Sequence, residues 1–110
     1  MVNARRGEVE ATLAGRSFVF CLTLGALAEL EAAFGASDVD ALGRRFAAGR
    51  LSAGDLRTIL VVSARGGPRP QDAEALATLP LGGELHLFVD AAIRVLEAAF
   101  GSGADPSPRP

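Results

Sequence analysis

The chain has 110 residues, 49% of them hydrophobic and 22% charged, with a net charge of −2. That is the size and balance of one folded domain, too apolar for an intrinsically disordered chain. All 11 basic residues are arginine, and the slightly acidic balance argues against a nucleic-acid partner, which asks for a clustered basic face.

The single cysteine, Cys21, leaves no internal disulfide to form, so an intracellular setting is the simplest reading. Met1–Arg6 reads as a flexible leader whose two arginines are not followed by the apolar run of a signal peptide. The longest apolar window, Phe18–Leu30, is broken by Thr23, Gly25 and Glu29. It is also shorter than the about 20 residues that span a bilayer. The expectation is a cytoplasmic protein with no membrane partner.

From Gly7 the pattern alternates: Val9, Ala11 and Leu13 face one way, Glu8, Glu10 and Thr12 the other, as in a half-buried strand. Gly15-Arg16 reads as a two-residue type II′ turn with glycine first. The second strand, Ser17–Leu22, puts Phe18, Phe20 and Leu22 on one face. Pairing Ala14 with Ser17 sets Leu13 against Phe18, Ala11 against Phe20 and Val9 against Leu22, so six apolar side chains share a face. Two strands alone are barely stable in water, so this face needs helices, or another chain's sheet, packed on it.

Thr23 reads as the N-cap of a helix ending at Gly35, with Leu24, Leu27, Leu30 and Phe34 in one stripe. Glu31 lies at the margin of that stripe. A carboxylate there must reach solvent or find a partner. Arg44, Arg45 and Arg57 are the candidate partners, and a subunit-interface contact is the alternative. A second helix starts at Ser37 as cap, carries Val39, Leu42 and Phe46, and stops at Gly49. Ser52 and Asp55 form the start of a third, with Leu56, Ile59, Leu60 and Ser63 on one face and Val61 and Val62 widening it. Gly66-Gly67-Pro68 ends it. A proline-bounded loop follows, holding at best a short helix around Asp72–Thr78.

The last helix, roughly Gly83–Phe100, is apolar over more than half its circumference, through Leu85, Phe88, Val89, Ala92, Ile93, Val95, Leu96, Ala99 and Phe100. Its polar stripe is His86, Asp90, Arg94 and Glu97. Such a helix is central to a bundle or shared with a partner. After Gly101 the proline-rich tail has nothing apolar to bury and reads as disordered.

Chemistry is sparse. His86 and Asp90 stand four apart, and Ser63 or Cys21 completes a nucleophile–base–orienter grouping on paper. The stripe reads better as solvated ion pairs, and no nucleophile elbow or P-loop is present. One His and one Cys cannot assemble a soft-ligand metal site. Gly66-Gly67 and Gly82-Gly83 read as punctuation between helices. Arg50, Arg65 and Arg69 make at most a small basic patch. No cofactor is expected, and Cys21 reads as a structural or partly exposed thiol.

Two stretches carry a likeness: RGEVEATLAGRSFVFCLTLGALAELEAAFG (Arg6–Gly35) and RFAAGRLSAGDLRTIL (Arg45–Leu60). They resemble the small proteins encoded beside the tail-tube and tape-measure genes of gene transfer agents and related siphophage-like elements, over roughly Arg6–Gly101. The resemblance implies a role in tail morphogenesis, first as a tail assembly chaperone that coats the helical tape-measure protein until tube subunits polymerise. Its alternative is a structural tail tube or minor tail component, located in the virion tail. The implied partners are the tape-measure protein, the tail tube protein and further copies of the chain. The family pattern is one of packing, so it implies no catalytic or ligand residues.

The expectation is therefore a non-enzymatic α+β domain over residues 7–100, an N-terminal two-stranded antiparallel hairpin packed on four to five α-helices. The candidate partner-binding residues are Leu24, Leu27, Leu30 and Phe34 on the first helix and Phe88, Val95 and Phe100 on the last, with Glu31 as the polar addition. A small adaptor domain or a hydrolase using His86 are the remaining alternatives.

Overall fold

A computed structural model describes residues 7–49 and 51–100. The expected leader at 1–6 and tail at 101–110 lie outside the described residues, as does Arg50. The order is β1 (Glu8–Leu13), β2 (Arg16–Cys21), α1 (Leu24–Phe34), α2 (Val39–Ala47), α3 (Ala53–Arg65), α4 (Asp72–Ala77) and α5 (Leu85–Phe100). This is the expected α+β architecture, an antiparallel hairpin followed by five helices.

The hairpin register differs from the one expected. Leu13 pairs with Arg16, Ala11 with Phe18 and Val9 with Phe20. The loop is Ala14-Gly15, and both residues have positive φ, 54° and 79°. That is a type I′ turn, whose twist matches that of the flanking strands better than the Gly15-Arg16 turn read from the glycine alone. The whole ladder has moved by two residues, and a move of two preserves which face each side chain occupies. Ala11, Leu13, Phe18 and Phe20 are accordingly buried together. The opposite face is less open than the alternation suggests, since Glu8, Val19 and Cys21 are also buried.

The helices start and stop largely where local chemistry directs. The Thr23 hydroxyl accepts from the Ala26 N–H, and Gly35 closes α1 in the left-handed conformation at φ 68°. Ser52 and Asp55 form a complete capping box on α3. The cap of α2 is Asp38 rather than Ser37; its carboxylate accepts from the Ala41 N–H at 2.8 Å. A carboxylate at that point also meets the positive end of the helix dipole. The short α4 is present, and Gly82-Gly83, both at positive φ, make the tight turn before α5.

α3 packs on β2, α1, α4 and α5, and α5 packs on β1. The core between them holds Leu13, Phe18, Phe20, Leu30, Leu42, Ile59, Leu60, Ala91, Ala92 and Val95. Ser63 faces the same core fully buried, and its hydroxyl has no hydrogen-bond partner among the described residues.

Both edges of the hairpin are met by helical segments. Leu13 and Arg16 flank the loop as a hydrogen-bonded pair, so by alternation Ser17, Val19 and Cys21 turn their carbonyls away from β1. The Arg69 guanidinium donates to the Ser17 carbonyl at 2.9 Å, and the Thr23 N–H donates to that of Cys21 at 3.1 Å. Gly66 and Gly67 run so close alongside that a Cβ on them would collide with the carbonyl oxygens of Cys21 and Val19 respectively. These glycines are thus more than helix punctuation: the close approach requires them. On the other edge, Arg94 of α5 donates to the Glu10 carbonyl at 2.8 Å.

An ionic network reinforces this seam. The buried Asp72 carboxylate accepts from Arg16 at 2.8 Å and from Arg69 Nε at 3.0 Å. Arg16 also lies over the Phe18 ring, 5.2 Å from its centre. Three polar groups from the hairpin tip, the α3–α4 connector and α4 are thereby locked together.

Three stability measurements check this account. Gly66→Ala forces backbone apart at Cys21 and should lower stability by about 2 kcal/mol, as overpacking does, seen as an earlier midpoint in urea. Ala14→Asn relieves an alanine held in left-handed geometry and should raise stability by about 1 kcal/mol. Asp72→Ala strands two half-exposed arginines and should cost about 2 kcal/mol. Combined with Arg16→Ala it should be clearly non-additive, because the two groups share one network.

Candidate functional site

An apolar groove of about 550 Å³ lies between α2 and α5. That volume falls in the about 300–1,000 Å³ range of ligand-sized sites. α2 lines it with Gly43, Phe46 and Ala47, followed by Gly49 and Leu51 of the connector. α5 supplies Val89, Ile93, Leu96, Glu97 and Phe100. The α5 residues recur every three or four positions, so they form one stripe along the helix.

α2, one wall of the groove, contributes little to the core. Leu42 is its only buried residue, and it packs on α1. It reaches α5 through Phe46, whose ring meets Phe100 at 6.3 Å and Phe34 at 5.3 Å in edge-to-face contact. Such offset ring pairs add about 1 kcal/mol each beyond simple burial. The Arg45 guanidinium sits 4.9 Å above the outer face of this chain of rings, at Phe34. Ile93 remains 42% exposed on the opposite wall.

The residues expected to bind a partner fall into three groups. Leu30, Phe88 and Val95 are core residues, buried among the hairpin and helices. Phe100 lines the groove, and Phe34 backs it through Phe46. Leu27 is partly buried, while Leu24 stands 80% exposed at the start of α1, away from the other two groups. Glu31 is half-buried and makes no ion pair among the described residues. Of the arginines read as its partners, Arg44 pairs instead with Asp40 at 2.6 Å and Arg45 with Asp55 at 3.5 Å, and Arg57 makes no ion pair among the described residues. The α1 carboxylate that crosses to another helix is Glu29, bonded to Arg65 at 3.2 Å.

The other chemical groupings are not assembled. Ser63 is fully buried while His86 is exposed, so no nucleophile–base pair forms there. Cys21 is buried. Arg65 and Arg69 are spent on Glu29, Asp72 and the Ser17 carbonyl instead of forming a basic patch. Among the described residues no cluster of His, Cys, Asp and Glu could hold a metal ion, and no helix is long and apolar enough to cross a membrane.

Sequence reading missed Phe46, Leu51, Val89 and Ile93 as a shared surface, although it placed all but Leu51 on apolar helix edges. The signal was the surplus width of the apolar face of α5. A helix needs only part of such a face to cover one core.

No curated protein and no solved structure matches the chain. A family model described as phage tail tube protein, GTA-gp10, matches residues 6–102. That span takes in the hairpin, all five helices and the groove, and it agrees with the gene transfer agent likeness of the two stretches quoted above. The chain belongs to the GTA-gp10 family of phage tail tube proteins.

Proposed function

We propose that the protein acts in tail morphogenesis as an assembly chaperone, holding apolar helical surface of the tape-measure protein until the tube polymerises around it. The reading is non-enzymatic and places the protein in the cytoplasm during particle assembly. The observation that carries it is the open apolar groove between two helices, which fits the way amphipathic helices are bound. A hairpin whose edges are already met by Arg69, the glycine pair and Arg94 supports it further. Strand addition, by which sheets close between subunits, needs an open edge.

The second reading is a structural tail tube component, favoured by the description of the family itself. The two readings part on whether the protein stays in the product. Mass spectrometry of purified particles should find the tube and tape-measure proteins without this chain, while co-expression should yield its complex with the tape measure. Detection at stoichiometric, ring-forming amounts in finished particles would establish the structural reading instead.

A further inference from the structure

We infer that the α2–α5 groove seats a single amphipathic helix from another protein, and that this helix carries a basic residue positioned to meet Glu97. The inference rests on the chaperone reading and gives its partner a chemistry.

Shape favours a helix. The groove walls are themselves helices, and the α5 wall is a continuous stripe from Val89 through Ile93 and Leu96 to Phe100. Such a trough accepts apolar anchors at i, i+3, i+4 and i+7. Its aromatic side, Phe46 and Phe100, is the kind of rigid ring surface that dominates binding energy at interfaces.

Charge selects the partner. Glu97 is, among the described residues, the one charged side chain lining an otherwise apolar groove, and it is exposed. Among the described residues it makes no ion pair or hydrogen bond; the described arginines of α2 and α5 are engaged, Arg44 with Asp40, Arg45 with Asp55, and Arg94 with Asp90 and the Glu10 carbonyl. Covering a carboxylate with an apolar ligand that leaves it unpaired is costly. A helix that fits must therefore bring its own cation. The same charge disfavours a second copy of the chain, because an isologous contact centred on this stripe would bring two Glu97 carboxylates together.

Two labelled helical peptides test this. Both carry leucines at i, i+3, i+4 and i+7; one places an arginine on the flank beside them and its twin places a glutamate there. Fluorescence anisotropy should show the arginine peptide binding the full chain and its twin binding at least about tenfold more weakly. Glu97→Arg should reverse that preference, and Ile93→Asp should weaken both peptides about tenfold or more. Both substituted positions are exposed, and unchanged circular dichroism and melting would show the fold intact. Absence of peptide binding, indifference to the Glu97 reversal, or self-association abolished by Ile93→Asp would overturn the inference.

Capture of the tape-measure protein separates this result from the broader reading. If Ile93→Asp and Glu97→Arg still capture it as well as the unmodified chain, the groove is not its seat and the inference fails while the chaperone reading stands. If the peptides behave as expected but no tape-measure complex forms, the groove stands and the chaperone reading fails.

Discussion

A two-stranded sheet has as many edges as strands, and the structure is organised around covering them. The carbonyls of Ser17, Val19 and Cys21 all point outward from β2. Left alone, that row would be a template for another chain. It is met by a hydrogen bond from Arg69, the close backbone of Gly66 and Gly67, and the N–H of Thr23. The connector between α3 and α4 can lie that close only because it has no Cβ there. Arg69, which seals the first carbonyl, is in turn held by Asp72, which also binds Arg16 at the hairpin tip. One seam therefore fixes the hairpin, the end of α3 and the position of α4.

Sequence patterns revealed most of the elements because those elements rest on local rules. Alternation over Glu8–Leu13, the caps at Thr23, Ser52 and Gly35, and the long apolar run of α5 all follow from neighbours a few positions apart. The hairpin register shows where such rules lose resolution. The apolar pattern has a period of two, so it fixes the parity of the pairing but not the pairing itself. Turn chemistry had to decide, and Ala14 does not advertise its left-handed geometry as asparagine would.

What stayed hidden was set by distant pairs. Arg16 and Asp72 are 56 positions apart, and each has an adequate local explanation, one as a turn residue and one as a first-turn acid. Arg69 likewise passed for part of a basic patch. For Glu31 helix geometry left solvent and an arginine partner both open, and Arg45 turned instead toward Asp55 and the Phe34 ring. The groove could not be seen in any one element, since it is the space that α2 and α5 leave between them.

The slight anchoring of α2 has a consequence for that space. With one fully buried leucine and a chain of edge-to-face rings among its attachments, α2 has fewer buried residues than any other helix of the chain's described residues. Elements with few buried contacts open at the low end of a protein's range of local free energies. The hairpin, α3 and α5 carry most of the buried residues, so α2 is the wall of the groove expected to open at the lowest cost. Opening on that side widens the groove without disturbing the core, so the groove's width is set by the helix that contributes least to the core.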